Sequence, residues 1–284
     1  MIDRGGGELD AETIDRVLAT AFAEDVGDGD LTTSACVDDA TRISARAVAR
    51  EPGTVAGLKV FAAALQFGGE VEVELKIPEG AVVKTGEAVA GVSGRAVSIL
   101  TAERIALNCL QRMSGIATAT AEFVKAVEGT SARILDTRKT VPGLRALDKY
   151  AVKMGGGVNH RFGLFDAVLI KDNHIRAAGS LQAAVERARN VVPAGSARIQ
   201  VECDTLAQLD ECLTLGVEWI LLDNMTLAEL RDAVVRGRGR AKLEASGGVT
   251  LDNVSEIAKT GIDFISIGAL THSVRALDIG LDFD

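Results

Sequence analysis

The chain has 284 residues, 47% of them hydrophobic, and a formal net charge of -9. That is enough apolar material for a large α/β domain and a smaller one, each with its own core, and it excludes a disordered chain. The acidic balance argues against a nucleic-acid or anionic-membrane partner, because binders of phosphate backbones carry a basic face, so any anion must be held locally.

Residues 11–24 place Ile14, Val17, Leu18 and Phe22 at helical spacing, which predicts one amphipathic helix leading into the turn Gly27-Asp28-Gly29-Asp30. From 43 to 100 the texture changes to short alternating or β-branched runs at 43–48, 71–77, 88–92 and 96–100, separated by turns containing Gly and Pro. These predict a small, mostly antiparallel sheet. A long helical pattern then starts at Thr101 and runs through Leu107, Leu110, Met113, Ile116, Phe123 and Val127, with Gly115 as a candidate interruption and Gly129 as its stop. The domain division is placed in this region, at 1–112 and 113–284, with the last residues free to pack back on the first domain.

Beyond residue 130 apolar runs recur at 133–136, 167–170, 198–201, 219–222, 241–244 and 264–267, the last four starting about 22 residues apart. Between them lie helical patterns starting at Ser180, Thr205, Thr226 and Thr250, two with capping boxes, Thr205 with Gln208 and Thr226 with Glu229. Gly216, Gly237 and Gly261 stand where those helices should stop. Strands alternating with helices in this way predict a parallel sheet with right-handed crossovers, rolled into a barrel or left open.

Every one of these strands ends in polar chemistry or glycine: Thr137-Arg138-Lys139, Lys171-Asp172-Asn173, Glu202-Cys203-Asp204, Asp223-Asn224, Ser246-Gly247-Gly248 and Gly268-Ala269. Ligands bind at that edge of parallel α/β folds, so six strands point toward one region. Between Ser131 and Arg176 nine Lys or Arg stand against four Asp or Glu, whereas the remainder has 22 basic against 36 acidic residues. Arginine suits bidentate recognition of carboxylates and lysine suits point-charge pairing, so the expected ligand is small and multiply anionic. Arg138, Lys139, Arg161 and Lys171 are assigned to it, while Arg145, Lys149 and Lys153, at helical spacing, read as a solvated helix face. His160, between Asn159 and Arg161, is a candidate ligand contact. Ser246 to Gly248 and Gly268-Ala269 suit phosphate, although a turn that merely needs positive φ would look the same. Glu202 and Asp223, on neighbouring strands, suit either sugar hydroxyls or a magnesium ion held with pyrophosphate and waters, with structural pairing to the nearby Lys and Arg groups as the alternative. The residues thus describe a phosphoribosyl transfer site. A Schiff-base enzyme using Lys139 or Lys171, and a non-catalytic anion binder, are its rivals. The hairpin texture of 78–95 suggests a lipoyl- or biotinyl-carrier domain only weakly, because Lys84 lacks the usual flanking residues.

Cys36, Cys109, Cys203 and Cys212 show no metal-ligand spacing and are expected to be reduced thiols rather than a disulfide or zinc framework. The first ten residues carry no apolar run after Arg4, and no stretch of about 18 apolar residues occurs, so a soluble cytoplasmic protein is expected.

The segments DTRKTVPGLR at 136–145, KYAVKMGGGVNHR at 149–161 and LIKDNHI at 169–175 resemble the quinolinate phosphoribosyltransferases. The likeness extends to EDVGDGDLTT at 24–33, ERIALN at 103–108, QRMSGIA at 111–117, VEC at 201–203, LDN at 222–224, EASGG at 244–248 and SIGA at 266–269. It departs at Val141, where a polar residue is common. The resemblance implies an N-terminal α/β sandwich, an incomplete α/β barrel, and a homodimer whose active sites are shared. It implies joining of quinolinate to 5-phosphoribosyl 1-pyrophosphate with Mg2+, giving nicotinate mononucleotide, pyrophosphate and CO2 in de novo NAD biosynthesis. It also implies that Arg138, Lys139, Arg161 and the partner subunit's Arg104 face quinolinate, with His160 and Lys171 lining the site and Thr137 among the substrate-binding residues. Glu202 and Asp223 would serve ribose and metal, Ser246, Gly247, Gly248, Ile267, Gly268 and Ala269 would lie near phosphate, and Lys139, Lys171, Glu202 and Asp223 would be the catalytic set.

Overall fold

The computed structural model describes residues 9–193 and 195–284; the glycine-bearing tip before Leu9 lies outside them. Helix α1 (Ala11–Asp25) starts where Asp10 accepts a hydrogen bond from the Thr13 N–H at 2.7 Å, and it buries Ile14, Val17 and Leu18 as the periodicity predicts. The acidic turn leads into a second short helix, α2 (Leu31–Cys36), capped by Asp30, whose other oxygen accepts from the hydroxyls of Thr33 and Thr101.

Next come β1 (Arg42–Ala49), β2 (Gly53–Thr54), α3 (Leu58–Phe67), β3 (Val71–Leu75), β4 (Val82–Val83) and β5 (Ala88–Arg95). The expected antiparallel sheet forms with β1, β5 and β3 in adjacent positions, and β2 pairs with β4 separately. Two elements differ from the sequence reading. The run at 58–67 is a helix, entered through Gly57 at φ 96°. The run at 96–100 is no strand but the first turn of α4 (Ala96–Ala126), because Ala96, Ser98, Ile99 and Ala102 are buried at helical spacing. Five apolar or small residues fit either period, and packing on α3 decides between them. Gly115 does not interrupt α4: a Cβ there would lie 2.1 Å from the Arg275 carbonyl oxygen, so glycine admits a crossing backbone. Residues 112 and 113 fall in the middle of this helix.

The second half runs β6 (Arg133–Leu135), α5 (Arg145–Met154), β7 (Ala167–Ile170), α6 (Asp172–Ala178), α7 (Leu181–Val191), β8 (Arg198–Cys203), α8 (Leu206–Thr214), β9 (Trp219–Asp223), α9 (Leu227–Gly237), β10 (Lys242–Ser246), α10 (Val254–Ala258), β11 (Phe264–Ser266), α11 (Ala269–His272) and β12 (Ile279–Phe283). The six predicted strands form one parallel sheet in the order β6-β11-β10-β9-β8-β7. A closed ring would also pair β6 with β7. Here that seam is left open and is spanned by the segment before β7, whose Val158 bridges Leu135. The result is an incomplete α/β barrel beside an N-terminal α/β layer. The last strand, β12, returns to pair antiparallel with β1.

Both predicted capping boxes form. Gly216 and Gly261 end their helices at φ 66° and 90°. Gly237 instead closes α9 against Leu243, and the left-handed position falls to Gly239 at φ 71°. α10 begins at Val254 rather than at Thr250.

Candidate active site

Strand register shows why the strand ends converge. The pairings Arg133 with Phe264, Glu244 with both Phe264 and Leu221, Leu221 with Glu202, and Gln200 with Leu169 put these residues on one sheet face. Side chains alternate along a strand, so that face also carries Ser266, Ser246, Trp219, Asp223 and Arg198. The opposite face is aliphatic, with Ile134, Ile265, Leu243, Ile220, Leu222 and Val201 buried under the helices. Moving along the inward face toward the strand ends, the last residues are Thr137, Gly268, Ser246, Asp223, Glu202 and Lys171. All six are half-buried, and all six are residues assigned to the site from sequence.

Below that rim the interior is polar and sealed. Gln200, Glu244 and Ser266 are 1%, 1% and 4% exposed. The Gln200 Nε2 donates to Glu244 Oε2 at 2.7 Å, and His160 Nε2 lies 3.4 Å from the same oxygen. Burial pushes the Glu244 carboxyl up, but the facing His160, Gln200 and Ser266 outweigh it and hold the group below the ordinary carboxylate range.

The cations divide into two kinds. Lys149 is not on a solvated face: it is fully buried, and its Nζ donates to Asp136 Oδ1 at 2.5 Å and to the His160 carbonyl at 3.1 Å. Asp136 also accepts from Asn159 Nδ2 at 2.6 Å and from the His160 N–H at 2.8 Å. Burial pushes the Asp136 carboxyl up and the Lys149 ammonium down, and their mutual contact opposes both. Arg145 is structural as well, donating to Thr140 Oγ1, the Phe162 carbonyl and the Arg138 carbonyl at 2.9, 3.2 and 3.4 Å. These two residues clamp the 136–140 segment after β6 to the 159–162 part of the segment that spans the open seam, so the helical-face reading of them is corrected. The third, Lys153, is half-buried.

The second kind lies toward the rim. Arg138 Nε is buried without a hydrogen-bond partner among the described residues. Arg161 donates to the Ala167 carbonyl at 3.0 Å, and burial, followed by the nearby Arg138, lowers the guanidinium's hold on its proton. Two arginines that repel each other in a half-buried mouth are suited to a multiply charged anion. Lys139 lies over Gly268, where a Cβ would come within 3.0 Å of its Cδ, and its carbonyl accepts from Thr271 Oγ1 at 2.8 Å. Thr271 is tied through its own carbonyl to Arg112, which grips buried Asp148 with two hydrogen bonds of 2.9 and 2.8 Å. Lys171 forms an ion pair with Glu202.

Asp223 accepts from Asn224 Nδ2 at 2.8 Å, and Asn224, at φ 55°, packs where a Gly247 Cβ would stand. Glycine at 247, φ 94°, is therefore required by this turn itself. Among the described residues no group of three or more His, Cys, Asp or Glu could hold a metal. Glu202, paired with Lys171, and Asp223 are two rim carboxylates on adjacent strands, donors of the kind that binds Mg2+ together with substrate phosphates and water. Arg104 is exposed on α4, outside the strand-end set.

Sequence reasoning overlooked the supporting groups Gln200, Glu244, Arg112 and Asp148, and took Lys149 and Arg145 for surface. Gln200 carried a signal, a polar residue amid an apolar strand. The cysteines are all free, but Cys203 and Cys212 lie with sulfurs 3.5 Å apart, a proximity their spacing did not suggest.

Comparison with known proteins matches residues 30–114 to the family model described as quinolinate phosphoribosyl transferase, N-terminal domain, and residues 116–282 to the corresponding C-terminal domain. The nicotinate-nucleotide pyrophosphorylase [carboxylating] of Mycobacterium leprae is 48% identical over 93% of this chain and 95% of its own length. The probable enzyme of the same name from Bacillus subtilis is 41% identical over 94% and 92%. The solved structure of the nicotinate-nucleotide pyrophosphorylase from Francisella tularensis superposes with a TM-score of 0.94 at 34% identity, covering 99% of this chain and 100% of that one.

Proposed function

Because the chain belongs to the quinolinate phosphoribosyltransferase family, and so joins quinolinate to 5-phosphoribosyl 1-pyrophosphate with release of pyrophosphate and CO2 to give nicotinate mononucleotide, we propose that its barrel rim divides this reaction among three groups of residues. Arg138, Arg161 and Lys139 hold the two carboxylates of quinolinate, with Lys171 and the partner subunit's Arg104 closing the ring and His160 behind it. Glu202 and Asp223 take the ribose hydroxyls, and the turns at Ser246 to Gly248 and Ile267 to Ala269 take the 5-phosphate. The observation that carries this division is the repelling pair Arg138 and Arg161, with Arg138 Nε buried and without a hydrogen-bond partner among the described residues, beside a rim of carboxylates, hydroxyls, Lys171 and glycine.

The chemistry asks the protein for position and charge rather than for a nucleophile. The cations hold the diacid so that the lone pair of its ring nitrogen faces the anomeric carbon. The new N–C bond forms as the C–O bond to pyrophosphate breaks, leaving a pyridinium. The carboxylate next to that nitrogen then departs as CO2, its electron pair stabilised by the adjacent cationic nitrogen, and the carbon takes a proton. Glu202 and Asp223 would hold Mg2+, which when bound neutralises charge on the pyrophosphate. Lys139, placed over Gly268, sits between the diacid cations and the phosphate turns.

Assay of the purified protein with quinolinate, phosphoribosyl pyrophosphate and Mg2+, with nicotinate as competing acceptor, tests this division. Preference for quinolinate that is lost in Arg138→Ala supports it, and unchanged discrimination in that variant removes Arg138 from the acceptor site. Chelation should stop turnover, and unaffected turnover would dismiss the metal.

We further propose a homodimer with shared sites. Mixed Arg104→Ala and Arg138→Ala subunits should regain up to about a quarter of full activity, because one site of each mixed dimer is intact. No regain in demonstrably mixed dimers rejects sharing. No helix of the described residues is long and apolar enough to cross a membrane, and the four free cysteines support our placing the protein in the cytoplasm.

A further inference from the structure

Glu244 is a carboxylate where a barrel of this kind ordinarily places a branched apolar side chain. It stands on the inward face of β10, 1% exposed, one step below Ser246. Burying a charge is costly, and well-packed apolar residues are often as good or better for stability at such a position. Folding alone therefore gives little reason for an acid here, and its neighbours supply one.

His160 connects this acid to the rim. Its backbone is held at both ends, the N–H donating to Asp136 Oδ1 at 2.8 Å and the carbonyl accepting from Lys149 Nζ at 3.1 Å. Its ring is held too: Nδ1 accepts the N–H of Arg161 at 2.8 Å, and Nε2 faces Glu244 Oε2 at 3.4 Å. An Nδ1 that accepts a backbone N–H cannot carry a hydrogen, so the ring hydrogen belongs on Nε2. A carboxylate opposite Nε2 favours that tautomer, and Gln200 fixes the carboxylate by donating to the same oxygen at 2.7 Å. With both ring nitrogens engaged inside the protein and only 8% of the residue exposed, His160 has little left to offer a ligand directly.

We propose that Glu244 and His160 are positioning residues for the acceptor site, a relay in which Glu244 selects the His160 tautomer that anchors the Arg161 backbone and thereby aims its guanidinium at the diacid. The relay runs from β10 through the segment spanning the open seam, and so couples the sealed interior to a rim cation that no strand carries. It acts on the acceptor and leaves the sugar phosphate turns untouched. The proposal rests on Arg161 facing quinolinate.

The chain has three histidines, so ring 15N NMR can assign His160 by comparison with His160→Gln. The wild-type ring should show a protonated Nε2 and an unprotonated, hydrogen-bonded Nδ1. Glu244→Gln keeps the shape and removes the charged acceptor. It should let the tautomers average, raise the quinolinate KM about tenfold, as expected for loss of one charge-assisted hydrogen bond, and leave the KM for phosphoribosyl pyrophosphate unchanged. Since Glu244 acts through His160, the double variant with His160→Gln should be no worse than the worse single variant. A wild-type ring protonated on Nδ1, equal rises in both KM values, or additive losses in the double variant would each overturn the relay. If Glu244→Gln folds poorly, Gln200→Leu should reproduce the acceptor-specific rise more weakly, and a Gln200→Leu enzyme with both KM values moved together rejects the relay. Should Arg161→Ala leave the quinolinate KM unchanged, the assignment of Arg161 fails first and the relay with it; an Arg161 effect without a Glu244 effect sinks the relay alone.

Discussion

At the lower end of the barrel Phe264 and Trp219 stack with ring centroids 5.2 Å apart, and the Arg198 guanidinium lies 4.4 Å over the indole. At the upper end the same strands present Gly268, Asp223 and Glu202, half-buried and polar. Both sets lie on one sheet face, four residues apart along the chain in each case. The lower end is occupied by the two stacked rings and the guanidinium over them. The upper end keeps groups that attract anions and would contribute nothing to a core. A barrel can separate the two tasks because its strands all run the same way, so stability collects at one end and chemistry at the other.

Substitutions at successive levels should make this separation measurable. The largest stability loss is expected outside this face, at the clamp between α5 and the residue after β6, where Lys149→Met leaves Asp136 buried without its counter-charge. Urea denaturation should show a loss of about 3–5 kcal/mol, and Asp136→Leu added to it should recover a good part. At the rim, Arg161→Ala should cost about 2–3 kcal/mol in kcat/KM for quinolinate, roughly 30- to 150-fold, while changing unfolding free energy by less than about 1 kcal/mol. The floor should behave in the opposite way: Trp219→Ala should lower stability by about 2 kcal/mol with both substrate KM values unmoved. A Trp219 variant that is stable but kinetically impaired would end the division of labour. On the outer shell, Thr226→Ala removes the cap of α9 and should cost about 1 kcal/mol without kinetic effect.

The smallest expected effect is on acid stability. The folded Glu244 carboxyl is held below its ordinary value, so the unfolded chain binds the proton more readily. Its contribution is then present at neutral pH and is lost as pH falls through the acid range, below the unfolded value of about 4.3. Unfolding free energies between pH 6 and pH 3 should fall less steeply in Glu244→Gln than in the wild type, and a parallel fall in both would show that this carboxyl does not titrate favourably with folding.

Much of the barrel was legible from the amino-acid sequence because its signals are local. Strands of three to six residues with polar ends, helices opening on Thr205 and Thr226, and glycines at 216 and 261 each declare themselves within a few positions. Parallel strands carry the rest: once six runs are known to point one way, their last residues must share an edge, so Thr137, Lys171, Glu202, Asp223, Ser246 and Gly268 could be grouped from the order of residues alone. Where the local signal was ambiguous the reading failed. The run at 96–100 satisfied a strand and a helix equally, and Leu58–Phe67 carried no helix signal strong enough against its β-like surroundings.

The cationic mouth itself follows from sequence, since nine basic residues crowd into 131–176 of a chain that is acidic elsewhere, and strand ends gather several of them on one edge. How deeply each of those cations is buried is a tertiary matter. Lys149 and Lys153 share a helix and a spacing, yet the one is sealed against Asp136, 13 residues away, and the other is half-buried. His160, a candidate ligand contact by sequence, has the Arg161 N–H and Glu244 against its two ring nitrogens, and Gln200 meets Glu244 across 44 residues. Periodicity records what the backbone does over a few residues. Burial and pairing depend on what arrives from elsewhere in the chain, and so only the folded structure could separate the residues that hold the site from those left open to its ligand.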